Sequence, residues 1–194
     1  LNYLAHAYLS FNQPAVLAGN LISDFVKGKQ HLLYPEEVRK GIMLHRAIDA
    51  FTDEHAATRE AKNIFKPYYR LYSAAFIDVS YDHFLANDWE QFTDDSLSEF
   101  SQQVYNSLDD YIEVFPEQFK LMFPYMKQQN WLYNYRNRSG IEKSFAGVVH
   151  RAAYLTDSQT AFKLFEDNYH RLQQYYADFF PALQRYAYNT LQTM

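Results

Sequence analysis

No cysteine occurs among the 194 residues, which excludes disulfides, thiolate nucleophiles and Cys-ligated zinc, and fits a reducing compartment. Glycine and proline are scarce, at five and six residues, so few positions favour the tight turns that alternating strands need. No uninterrupted apolar run approaches the roughly 20 residues of a membrane-spanning helix. The segment LNYLAHAYLS lacks the charged stretch and small-residue cleavage site of a secretory signal. These absences lead to the expectation of a cytoplasmic globular chain with no membrane span. Lysine and arginine are missing from 71–119, where eleven Asp or Glu fall, whereas 27–70 holds nine Lys or Arg against six acids. A basic stretch on a chain of net charge −5 suits an anionic partner, although two ordinary solvated faces would read the same way. A duplex-binding protein would be basic overall, so no nucleic-acid partner is expected.

What is present is helical punctuation. Pro14 opens a helix expected over 14–27, with Leu17, Leu21 and Phe25 on one stripe and Gly28 just past its end. Pro35 introduces a second over 36–52, with Val38, Ile42 and His45 stacked at three- and four-residue steps. An Ala-rich helix over 56–65 is expected to stop at Pro67, and another to follow over 68–87. Segments near 95–114, 116–129, 141–154 and 157–179 read likewise, with a short helix after Pro181. No repeat or linker divides the chain, so the expectation is an all-α helical bundle with one domain over 1–194. The abundant Tyr and Phe, 18 and 16 residues, read as core at this spacing.

His and Asp carry the chemical signal. His45 and Asp49 stand four apart in GIMLHRAIDAFTD, on one helix face, and Asp53 continues that row. Such a pair could share a divalent cation, or be a plain surface pair. Asp82 and His83 are adjacent in an aromatic-rich helix, where a carboxylate needs a compensating charge; a salt bridge to Arg70 is the structural alternative. Asp24 lies in GNLISDFVKG and His6 in NYLAHAYLS, the latter equally readable as a satisfied core histidine. Together His6, Asp24, His45, Asp49, Asp82 and His83 form a set of imidazoles and carboxylates on four expected helices, the way bundles build metal sites. A thiolate-free N/O set suits Mn, Fe, Mg or Zn. Arg46 and Lys27 are the cations expected near a substrate phosphate, or else they neutralise nearby carboxylates.

The blocks NYLAH at 2–6, GNLISDFVKG at 19–28, GIMLHRAIDAFTD at 41–53 and DVSYDHFLA at 78–86, with WLYNYR at 131–136, resemble the acyl carrier protein phosphodiesterases. That resemblance implies a cytosolic bacterial enzyme of HD-domain-like fold. It would be dependent on a divalent metal, manganese first, and would remove 4′-phosphopantetheine from holo-acyl carrier protein to leave the apo form. The HD signature is an adjacent His-Asp pair, whereas here the pair is inverted, Asp82-His83. Carried onto this chain, the metal positions implied are Asp24, His45, Asp49, Asp82 and His83, then His6. In the reaction so implied, Arg46 and Lys27 would steady the phosphoryl oxygens and Asp49 or Asp53 would orient water. His83 or His6 would protonate the departing serine oxygen. The basic stretch 27–70, through Lys29, Arg39, Lys40, Lys62 and Lys66, would steer the acidic carrier. Two rivals are weighed with it: a phosphohydrolase of the same fold acting on a nucleotide or other small phosphoester, and a helical binding protein whose His and Asp are structural.

Overall fold

Pro14 does stand in the first turn of a helix in the computed structural model, which describes residues 1–194. The helices in chain order are α1 Tyr3–Tyr8, α2 Pro14–Ile22, α3 Glu36–Glu54, α4 Ala56–Tyr69, α5 Ser73–Asn87 and α6 Leu97–Asp109. They continue as α7 Glu117–Gln128, α8 Trp131–Asn134, α9 Arg138–Arg151, α10 Gln159–Asp167 and α11 Tyr169–Gln192, and there is no strand. The fold is all-α.

Several boundaries differ from the expected ones, each for a local reason. Helix α2 ends at Ile22 rather than 27: residues Ser23–Phe25 tighten into a 3₁₀ turn and Val26 goes extended. Gly28 then takes φ +53°, which a side chain would resist. Asp24 therefore sits in a turn, not on a helix face. Helix α4 runs through Pro67 to Tyr69, and α11 runs through Pro181 to Gln192. In both cases the proline and the residue four before it, Asn63 or Ala177, are exposed, so the carbonyl deprived of its N–H partner meets water instead. The expected helix over 157–179 breaks at Asn168, whose side-chain amide donates to the Leu164 carbonyl and closes α10. Helix α1 is opened by Asn2, whose side-chain oxygen accepts from the Tyr3 N–H.

One apolar cluster takes residues from every helix, from Leu4 of α1 to Leu191 of α11. Helix α3 lies between α2 and α11, and α5 is surrounded by α1, α4, α9 and α11. The α2–α3 crossing is close because two glycines meet there. A Cβ on Gly19 would come within 1.9 Å of the Val38 carbonyl oxygen, and one on Gly41 within 2.1 Å of the Val16 carbonyl oxygen. This contact fixes the distance between Asn20 on α2 and His45 on α3.

Candidate metal centre

Asn20 is fully buried in α2, so its amide must find protein partners. Its Nδ2 donates to the His6 carbonyl and to Ser10 Oγ, at 2.9 and 3.1 Å. That leaves Oδ1 to accept from His6 Nδ1 at 2.8 Å. The backbone carbonyl of the same residue accepts from His45 Nδ1 at 2.7 Å. With both Nδ1 atoms donating, each ring turns its Nε2 the other way. The rings stack at 3.9 Å between centroids, and the two Nε2 atoms meet Asp49. His6 Nε2 is 3.3 Å from Asp49 Oδ1 and His45 Nε2 is 3.1 Å from Asp49 Oδ2. Asp24 reaches in from the 3₁₀ turn, its Oδ1 3.2 Å from His45 Nε2, with its side chain 68% exposed. The cluster thus has a buried imidazole floor and a solvent-facing carboxylate rim.

Its electrostatics suit a cation. Burial, helped by the neighbouring His45 charge, pushes the His6 ring down to about 4. Its neutral Nε2 then carries a lone pair, is buried, and makes no hydrogen bond. Burial also disfavours a charged His45, but the bonds to Asp24 and Asp49 outweigh it and raise that ring to about 9. The bond from His45 holds the Asp24 carboxyl low. Burial works to raise Asp49, and the bonds from the His45 and His6 imidazoles work to lower it; that carboxyl is held well below the usual range. The ligating atoms of His6, His45 and Asp49 all lie within 4.8 Å of one another, close enough to hold a metal ion. Nδ1–H bonds to fixed acceptors are the outer-shell pattern of metal-bound histidines; His6 Nε2 is free to ligate, and His45 Nε2 would give up its proton to a metal. The residues fit a divalent ion.

Not every expected residue comes here. Asp82 and His83 are neighbours on α5, and each is engaged by other partners, outside the His6, His45 and Asp49 group. Asp82 is buried against α1 and accepts from the backbone N–H groups of Asn2, Leu4 and Ala5, at 3.3, 2.7 and 3.3 Å. It supplies the N-terminal partner that so short a helix needs, and burial pushes its carboxyl up to about 7. His83 faces away from the cluster: Nδ1 donates to the Tyr135 carbonyl at 2.7 Å and Nε2 lies 3.0 Å from the Tyr169 hydroxyl. Burial pushes that ring below its ordinary value. Arg46 spends its donors on the chain, Nη2 donating to the Val26 and Gly28 carbonyls at 2.8 and 3.2 Å. Asp53 pairs with Lys62 at 2.6 Å across to α4. Lys27 is exposed three residues beyond Asp24. Asn20, which orients both imidazoles, was not singled out by sequence; its place inside GNLISD was the available signal.

Residues 1–183 match the family described as acyl carrier protein phosphodiesterase. Among curated proteins, the chain is 32% identical over 188 residues to the acyl carrier protein phosphodiesterase of Yersinia pestis, covering 96% of this chain and 97% of that protein. It is 32% identical over 190 residues to the protein of the same name from Klebsiella pneumoniae subsp. pneumoniae, covering 97% and 98%. The Serratia proteamaculans protein of that name is also 32% identical, over 188 residues, with 96% and 97% covered. No solved structure matches. No helix is long and apolar enough to cross a membrane.

Proposed function

The chain belongs to the acyl carrier protein phosphodiesterase family, and from that membership we propose that it hydrolyses the phosphodiester joining 4′-phosphopantetheine to the serine of holo-acyl carrier protein. Water adds to phosphorus, the bond to the serine oxygen breaks, and apo-carrier and 4′-phosphopantetheine leave. The observation that carries this reading is the convergence of the His6 and His45 Nε2 atoms on the Asp49 carboxylate. Those three residues, with Asp24 at the rim, would hold a divalent cation, manganese first. When bound, such an ion supplies a water nucleophilic near neutral pH and a charge for the phosphoryl oxygens.

The chain's own groups do the rest. Asp24 engages His45 through Oδ1, leaving Oδ2 to accept the proton of the attacking water and return it to the departing serine oxygen. Asn20 keeps both imidazoles in the tautomer that presents Nε2. Lys27, exposed three residues beyond Asp24, would supply a cation to the substrate phosphate. Arg46 is a positioning residue, since its bonds to Val26 and Gly28 hold the loop that carries Lys27.

The same loop supports carrier docking. Of the basic residues in 27–70, Lys40 is paired with Glu37 and Lys62 with Asp53. Lys27 precedes and Lys29 lies in the 3₁₀ stretch that also carries two apolar side chains, Leu32 and Leu33, 58% and 85% exposed. Cations around an exposed apolar pair suit an acidic protein surface. A bacterial, cytoplasmic setting is part of the proposal, drawn from the bacterial relatives.

The test is incubation with holo-acyl carrier protein and Mn²⁺, following carrier mass with and without chelator. Chelator-sensitive loss of the phosphopantetheine mass is the expected result. An intact carrier in the presence of folded, metal-loaded protein would sink the proposal and leave a small phosphoester as the substrate to try.

A further inference from the structure

Beside the metal centre lies a cavity of about 590 Å³ that the proposed chemistry has not used, a volume within the range of small-ligand sites. Asn2 and Tyr3 line both this cavity and the small cleft that contains His6, Asp24 and His45. The two spaces therefore border one another across the start of α1. Tyr3 stands at the junction, its ring 6.2 Å from that of Trp131. Its buried hydroxyl is pushed above the ordinary value by burial first, then by Asp24, with Arg151 pulling the other way.

One wall of the cavity is a face of α9 read at helical spacing: Gly140, Lys143, Ser144, Gly147 and Arg151. Small residues hollow this face. A Cβ on Gly147 would meet nothing within 4 Å except the Arg151 guanidinium at 3.4 Å, so the room beside it is unfilled space rather than a tight helix crossing. Lys143 and Arg151 are exposed at the edge. The facing wall offers the rings of Tyr3 and Trp131 and the side chain of Asn2. The lining thus combines amide and hydroxyl groups, aromatic faces and two cations.

We propose that this cavity binds the phosphopantetheine arm, so that the chain grips the group it removes; this rests on the hydrolysis proposed above. The arm is a phosphate ester followed by a geminal dimethyl, a hydroxyl, two amides and a terminal thiol. Methyl groups on the aromatic faces, amide N–H groups donating to Ser144 Oγ and amide carbonyls accepting from Lys143 and Arg151 meet those features in one space. The junction at Asn2 and Tyr3 lets the phosphate reach the metal centre while the rest of the arm stays in the cavity. Affinity would then come from parts of the substrate remote from the scissile bond.

The experiment measures steady-state kinetics on holo-acyl carrier protein and calorimetric binding of free 4′-phosphopantetheine, for the Mn²⁺-loaded wild type, Gly147→Leu and Lys143→Glu. Leucine at 147 fills the cavity and replaces a helix-interior glycine with a better helix former, and a thermal melt checks its fold. Position 143 is exposed, so its charge reversal keeps the packing intact even if Gly147→Leu folds poorly. The expected result is a KM for holo-carrier raised at least about tenfold in Gly147→Leu, with a matching loss of arm binding. Lys143→Glu should show a smaller loss of both. Cleavage by the wild type with unchanged KM and arm binding in both variants overturns the inference and leaves the hydrolysis standing. A wild type that leaves holo-carrier intact overturns the hydrolysis and this inference with it.

Discussion

His83 and His6 show how little a histidine's neighbours in sequence say about its task. Both are buried in apolar segments. His83 has a bonding partner on each ring nitrogen and packs edge-on against Phe84 and Phe165. His6 has one, and its second nitrogen faces a carboxylate. Replacing them should separate the roles. His83→Ala leaves the Tyr135 carbonyl and Tyr169 hydroxyl without their partner and opens a cavity, costing about 2–3 kcal/mol of stability, while the metal site keeps its ligands. His6→Ala should lower activity by at least about 100-fold with the helical content retained. Urea unfolding and carrier-mass kinetics on the two purified variants measure this; the opposite pattern would place the chemistry at His83.

At the scale of elements, the α2–α3 crossing positions the site. The His45 ring is held by a carbonyl of α2, so its aim depends on how near the two helices lie. Alanine in place of a helical glycine ordinarily stabilises by about 1 kcal/mol. At Gly41 the added Cβ would lie 2.1 Å from a backbone oxygen, and backbone cannot yield as a side-chain tip can. Gly41→Ala should therefore destabilise by about 2–3 kcal/mol and lower activity too, because Asn20 and His45 move apart. A denaturant midpoint equal to or above that of the wild type would show that the crossing is not what holds them. The prolines teach the converse lesson: Pro67 and Pro181 read as helix stops, yet both lie on exposed faces. Water accepts what the helix loses there, and the buried stripe Tyr176, Phe179, Phe180 and Leu183 carries α11 onward.

Across the whole molecule, the metal centre joins α1, α2 and α3 with the turn after α2, so an ion bound there ties the N-terminal third together. An ion present at about 100 times its dissociation constant should stabilise by about 2.7 kcal/mol, raising Tm by roughly 5–10 °C for a chain of this size. Differential scanning with and without Mn²⁺ measures it, and Asp49→Ala should abolish the shift. An Asp49→Ala protein that still gains the full shift would put the ion elsewhere.

Periodicity, proline and glycine placement were enough to read an all-α chain with α3 in nearly its observed span and α5 ending where expected but starting five residues later, because amphipathic repeats report which face is buried. The quoted blocks also contained every residue of the cluster: His6, Asn20, Asp24, His45 and Asp49. Sequence alone could not sort those from Asp82, His83 and Asp53, which have the same chemistry and similar spacing. That sorting depends on where a side chain points and on which donors from distant segments reach it. The Asn20 amide turns two imidazoles inward, the N–H groups of α1 claim Asp82, and Lys62 from α4 draws Asp53 away. Each of these is a contact between helices, and helix–helix contacts exist only once the core has packed.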